Sequence, residues 1–282
     1  MKLAKVFKEN KQFTLFSILA LVVVGVAVFA PQIAPYDPLD AVMLESLQAP
    51  SSAHPFGTDK LGRDLLSRVI FGTRTSLIMT LCLVAVIFVI GTFLGVIAGY
   101  FGGIVDGVIM RIADMMISFP GLVLAIAIAG MLGPNLVNAV ISIAAVSWTK
   151  YARLARSMVL RVKKNLYIEA AVVNGTRTWK ILLVHVLPNM VTQMVVTAAA
   201  DIGTMMLELA SLSFLGLAGL SFLGLASQPP TPEWGLMLNE GRTYMAKAPW
   251  LMIYPGIAIV ICVVIFNMLG DSIRDVLDPR QE

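Results

Sequence analysis

Charge is scarce in this sequence. Of its 282 residues 13% are Asp, Glu, Lys or Arg, and the mean hydropathy is +0.84. An ordinary soluble domain carries about 25% charged residues, so the composition excludes that class and makes lipid the solvent. Cysteine is scarcer still. Cys82 and Cys262 both lie inside apolar runs, which excludes a disulfide scaffold and offers no zinc-ligand spacing. Histidine occurs only at His54 and His185, and no Ser/His/Asp set or metal cluster is visible, so the chain does not read as an enzyme. No G-x-x-x-x-G-K-[ST] stretch is present either, so the chain has no P-loop to cradle ATP. The net charge of +4 does not point to nucleic acid, because the basic residues sit beside hydrophobic runs, where they report topology.

What is present is a series of apolar stretches near the 20 residues that a helix needs to cross a bilayer. Six are expected: Phe13 to Ala30, Ser76 to Tyr100, Ile112 to Leu132, Leu136 to Tyr151, Met190 to about Leu212, and Trp250 to Gly270. The fold class is therefore an all-α polytopic membrane protein. The first run is preceded by Lys2, Lys5, Lys8 and Lys11, as in a signal peptide. Its apolar stretch exceeds an h-region and Pro31 follows the one plausible cut site, so it reads as a retained helix. With both termini inside, the inner segments collect those four lysines, Arg111, eight basic residues from Lys150 to Lys180, Arg274 and Arg280. The outer segments hold only Lys60, Arg63, Arg68, Arg74, Arg242 and Lys247. That asymmetry satisfies the positive-inside rule.

The longest inner loop, 150–188, has a pattern of its own. Leu154, Met158, Val162 and Leu166 recur at helical spacing beside Arg153, Arg156, Arg161, Lys163 and Lys164, which predicts an amphipathic helix continuing out of the fourth span. "YIEAAVVNG" predicts a second short helix stopped by Asn174-Gly175. "TRTWKILLVHV" predicts a restart, with Thr176 or Thr178 as N-cap and an end at Pro188. On basic content alone this is equally an interfacial helix attracted to anionic membrane lipid.

The spacing Glu169-Ala170-Ala171, Gly175, His185 and Pro188 resembles the EAA motif of ABC importer permeases. "FGTDKLGRDLLSRVIFGTRTSL", "GYFGGIVDGVIMRIADMMISFP", "PPTPEWGLML" and "FNMLGDSIRDVLDPR" extend the likeness over nearly the whole chain, to the second permease of the dipeptide, oligopeptide and nickel importers. The resemblance implies an ABC importer type I permease fold in the bacterial cytoplasmic membrane. It further implies a homologous permease partner in a heterodimer, two ABC ATPases that bind ATP and Mg, and an extracytoplasmic solute-binding protein. No cofactor is expected on this chain. The stretch from Glu169 to Pro188 would be its coupling element, with Glu169, Ala170 and Gly175 at the ATPase contact. Residues 1–75 would form an N-terminal anchor and an extracytoplasmic amphipathic loop, 76–271 the permease core with a coupling loop at 152–188, and 272–282 a short cytoplasmic tail. The nickel branch is the somewhat closer match, with peptides beside it. A cation channel and a membrane-anchored scaffold are the alternatives of another class; the first leaves the EAA stretch without a purpose, the second the intramembrane acids.

Inside the spans, Gly91, Gly95 and Gly99 are four apart on one helix face, the spacing that lets membrane helices approach closely. Asp201 and Glu208 fall seven residues apart in the fifth span, about 700° of helix rotation, so they share a face. A carboxylate at the bilayer centre costs about 2.5 to 3.5 kcal/mol on insertion scales. Each must therefore either pair with another helix or line a polar path, and the deeper Asp201 is the stronger path candidate. Met205, between them, reads first as packing and second as a soft-ion ligand. "LSFLGLA" occurs at 212–218 and again at 220–226, where the family pattern has one copy. Eight extra residues would rotate a continuous helix by roughly 80° and lengthen it by about 12 Å, so the extra copy is expected at the outer end of the span or in the loop.

Overall fold

The computed structural model describes residues 10–133, 135–218 and 231–277. They form eleven helices in chain order: α1 (Lys11–Val28), α2 (Ala30–Ile33), α3 (Leu65–Phe101), α4 (Gly103–Ile117), α5 (Gly121–Leu132), α6 (Leu136–Val162), α7 (Leu166–Val173), α8 (Thr178–Lys180), α9 (Leu187–Ala218), α10 (Trp234–Arg242) and α11 (Trp250–Leu277). No strand occurs among the described residues, so the all-α class holds there.

Four continuous helical stretches are long and apolar enough to cross a membrane: Lys11–Val28, Leu65–Phe101, Thr178–Leu215 and Trp250–Leu277. The expected third span is broken. α4 and α5 meet at 96° across Ser118, Phe119 and Pro120, and Pro120, which has no N–H to donate, heads α5. The expected fourth span lies in α6, which runs on to Val162 with Lys150, Arg153, Arg156 and Arg161 in its second half. α6 is less apolar because much of it faces protein. Fifteen of its residues are buried, among them Ser142 and Thr149.

α3 starts well before the Ser76 expected of the second span. Asp64 caps it, accepting from the Ser67 N–H and hydroxyl at 2.7 Å each, so residues 65–75 extend the span as helix rather than forming part of a separate loop. The glycine stripe of α3 lies against α6. A Cβ on Gly91 would stand 2.5 Å from Tyr151 Cβ and 2.6 Å from Trp148 O. One on Gly95 would meet Ala152 O and, at 2.7 Å, Ala155 Cβ. One on Gly99 would stand 2.9 Å from Val159 Cβ. The two backbones are in contact there, which no larger residue allows.

Two apolar clusters follow from this packing. One joins α3, α5, α6, the stretch after α6, and one side of α9 along most of its length; it includes Ile87, Ile143, Tyr151, Val159, Ile168, Ile181, Met190 and Met205. The other joins α1, α3, α10 and α11 to the C-terminal half of α9, around Trp234, Leu251, Cys262 and Phe266. Residues 37–64 fold back over one end of this second cluster. Phe56 stacks on Tyr254 at 3.9 Å between centroids, and the Arg63 and Arg68 side chains, 1% exposed, reach Asp59 and Glu240. His54 closes the same region, with Nδ1 2.9 Å from Asp64 Oδ1 and Nε2 3.3 Å from Glu45 Oε2. The first "LSFLGLA" copy ends α9, and the second lies outside the described residues.

Candidate functional site

The stretch from Glu169 to Pro188 follows the end of α6 at Val162. α7 ends in the double closure that a left-handed residue permits. Thr176 N–H donates to Ala171 O at 3.0 Å, Gly175 N–H donates to Val172 O at 2.9 Å, and Gly175 has φ +72°. Nothing lies within 4 Å of a Cβ built on Gly175, so its backbone angle, not lack of space, calls for glycine. Glu169 and Ala170 are exposed on α7, and Ala171 is half-buried. Ile168 and Ile181, 2% and 1% exposed, anchor this knob to the ends of α6 and α9.

The restart after Gly175 differs from the expectation in two ways. Arg177 holds the N-cap position with no side-chain cap bond, and Thr178 is the first helical residue, so neither threonine caps. Pro188 does not end the helix. It sits in the first turn of α9, and the preceding residues Ile181–Val186 adopt a π-helical turn. A wider turn just before a proline accommodates the hydrogen bond that its ring removes. One rod therefore runs from the knob into the fifth span. His185 faces Tyr167 at 6.2 Å between ring centroids, and the Asn189 amide donates to the Tyr167 hydroxyl at 3.2 Å and to His185 O at 2.6 Å. These contacts tie α7 to the rod.

The knob presents a large apolar surface. Leu166 and Val173 are 81% and 86% exposed, and Tyr167, Val172, Trp179, Leu183 and Val184 are also exposed, beside Arg177 and Lys180. Several charges near this end of the bundle are paired: Arg156 grips Asp106 with two bonds of 2.5 Å, Arg153 reaches Asp114 at 2.5 Å, and Lys163 donates to Tyr100 O at 2.7 Å.

Within the spans the acids part company. Asp201 is 5% exposed and accepts from Lys150 Nζ at 2.6 Å and from the Tyr151 hydroxyl at 2.9 Å. It thus joins α9 to α6, the pairing that its sequence position allowed. Glu208 is half-buried and has no hydrogen bond or ion pair among the described residues. Met205 is 5% exposed in the first apolar cluster, with Met190 and Met194, where it packs. Lys150 and Tyr151 were not singled out by sequence; two polar residues at the end of an apolar run gave no sign of their partner.

Glu233 caps α10 through its side chain, which accepts from Gly235 N–H at 2.8 Å and Leu236 N–H at 2.9 Å. Burial pushes its carboxyl above the ordinary range, against the pull of those two bonds. The cluster of Asp59, Arg63, Arg68 and Glu240 was likewise beyond sequence reasoning, since Glu240 is more than 170 positions from its partners.

Known proteins resemble this sequence. Residues 91–282 match the family model of the binding-protein-dependent transport system inner membrane component, and residues 2–50 match the N-terminal TM domain of oligopeptide transport permease C. The dipeptide transport system permease protein of Alkalihalophilus pseudofirmus is 40% identical over 278 residues, 99% of this chain and 89% of the relative. The glutathione transport system permease protein of Pectobacterium atrosepticum is 43% identical over 261 residues, 92% of this chain and 84% of the relative. The probable D,D-dipeptide transport system permease protein of Escherichia coli is 39% identical over 279 residues, 99% of this chain and 91% of the relative. With its multi-pass apolar helices, its knob and its paired intramembrane charges, the chain belongs to the binding-protein-dependent transport system inner membrane component family, as a non-catalytic permease subunit of an ABC importer.

Proposed function

We propose that this permease carries short peptides across the bacterial cytoplasmic membrane, driven by separate ATPases that dock on the knob at 166–186. The observation that carries the reading is the exposed apolar surface of Leu166, Val172, Val173 and Trp179 on a rigid, Schellman-closed turn. A patch of this kind, rimmed by Arg177 and Lys180, is the mark of a protein interface. The peptide assignment rests on the dipeptide and glutathione permeases among the relatives. The nickel preference drawn from sequence gains nothing from these relatives.

In this reading there are six spans, α4 with α5 and α6 supplying the third and fourth, and both termini face the cytoplasm. A homologous permease completes a heterodimer, two ATPases bind ATP and Mg, and an extracytoplasmic binding protein delivers the solute near the outer segment 37–64. Because the knob is anchored by Ile168 and Ile181 to the ends of α6 and α9, and Asp201 ties those helices together deeper in, a displaced knob moves both as a unit. ATP-driven closure of the ATPases would turn the cavity outward, and hydrolysis would reset it. The Lys150 ammonium on Asp201 opposes the cation-channel alternative, since a fixed positive charge repels a permeating cation.

Two experiments test this. The chain purified alone is expected to hydrolyse no ATP, whereas the chain isolated from its own membranes is expected to retain ATPase subunits; hydrolysis by the lone chain would overturn the assignment. Gly175→Val forces a β-branched residue to φ +72°, which costs about 1 to 2 kcal/mol or more. Transport and ATPase retention are expected to fall several-fold at normal protein levels, whereas Gly175→Asn, which tolerates that angle, stays near wild type. If Gly175→Val transports and retains ATPase like wild type, the knob is not the coupling element.

A further inference from the structure

Beside the pairing of Asp201, two charges keep capacity to spare: Lys150 on α6 and Glu208 on α9. Lys150 gives one N–H to Asp201 Oδ1 at 2.6 Å, yet its side chain is 60% exposed while that of Asp201 is 8% exposed. An ammonium has three donors, so the others point away from the buried carboxylate toward open space. Glu208 lies on the same face of α9, half-buried, within electrostatic range of Asp201 and Lys150, and with no hydrogen bond or ion pair among the described residues. An ionisable group kept in an apolar span without a partner is costly unless a partner arrives from elsewhere.

The spacing identifies the partner. Glu208 stands seven residues along α9 from the carboxylate that holds Lys150. At 1.5 Å per residue that is a rise of about 10 Å. An extended chain spans at most about 3.3 to 3.6 Å per residue, so the two ends of a di- or tripeptide lie about 7 to 11 Å apart. We infer that Glu208 receives the α-ammonium and Lys150 the α-carboxylate of a short zwitterionic peptide passing along α9. Asp201 and Tyr151 are positioning residues in this arrangement: they hold Lys150 at its height without being consumed by the ligand. A low-dielectric surround strengthens both contacts relative to water. The assignment rests on the peptide reading of the preceding subsection, and it predicts preference for short peptides with both ends free.

The test uses cells that express the permease with its own partner subunits, supplied with labelled dialanine, trialanine or glutathione. Glu208→Gln is expected to lower the uptake rate about tenfold with an unchanged amount of assembled complex, and Glu208→Asp to restore part of it. Lys150→Gln should show a comparable loss, and Lys150→Arg, which keeps the charge on Asp201, a partial rescue. Undiminished uptake by Glu208→Gln, or a loss that tracks loss of the assembled complex and is not relieved by Glu208→Asp, overturns the assignment. Failure of the wild type to take up any of the three probes overturns the peptide reading itself, and this inference with it.

Discussion

Gly95→Ala, a change of one methyl group, is expected to deplete the folded permease from the membrane, and Gly95→Leu to abolish it. The new Cβ would overlap Ala152 O and stand 2.7 Å from Ala155 Cβ, with Ala152 C at 2.9 Å. The first obstacle is backbone, so no rotamer change relieves it. α3 and α6 would have to separate, and the cluster around Ile87, Tyr151 and Val159 would lose its packing with them. Overpacking a core by methylenes usually costs about 1 to 3 kcal/mol, and a clash with main chain on a helix pair that organises the bundle belongs at the top of that range. The sign is what makes the experiment informative. In an open helical site the same Gly→Ala change stabilises by about 1 kcal/mol. Gly25 in α1 has nothing within 4 Å of an added Cβ and serves as the control. Membrane-fraction levels and protease resistance of Gly95→Ala and Gly25→Ala should diverge; equal levels would mean that the two backbones are not in contact.

Arg63→Met is the second large effect. The Arg63 side chain is 1% exposed, with Nε 2.6 Å from Asp59 Oδ2 and Nη2 3.4 Å from Glu240 Oε2. Methionine fills much of the space but leaves Asp59 and Glu240 short of a counter-charge in a buried place. Breaking a buried pair from one side costs about 3 to 5 kcal/mol, because the remaining charge is uncompensated. Arg68 and Lys60 still face Glu240, and Arg68 Nε stands 3.5 Å from Asp59 Oδ2, so both losses are tempered; the larger deficit falls on Asp59, which loses its 2.6 Å partner. Adding Asp59→Asn should therefore recover part of the stability: the amide oxygen can still accept from the Leu61 and Arg63 N–H groups, and the under-compensated charge is gone. Thermal denaturation of the detergent-solubilised protein is the measurement. A double variant no more stable than Arg63→Met alone would show that charge compensation is not what the cluster provides.

Sequence by itself determined the class of solvent, the apolar stretches and the location of the knob. Those features are local: 20 apolar residues, Asn174-Gly175 as a stop and the EAA spacing are all legible within one short window. The glycine stripe was legible too, because four-residue spacing places Gly91, Gly95 and Gly99 on one face whatever lies opposite. Helix ends were less so. α3 begins at Leu65 because Asp64 caps it, and Pro188 passes inside a rod because a π turn precedes it, so apolar content misplaced the first boundary and the proline the second. Tertiary structure alone decided which charges meet. Lys150 with Asp201, Arg156 with Asp106 and Arg63 with Glu240 are brought together from 51, 50 and 177 positions apart by helices whose order in the bundle no local pattern encodes. It also separated two acids that sequence could only treat alike: Asp201 faces α6 and finds an ammonium and a hydroxyl, while Glu208, two turns further along the same face, finds none among the described residues. The physical reason is that burial cost is set by each residue's own position, whereas its relief depends on whatever the fold places opposite.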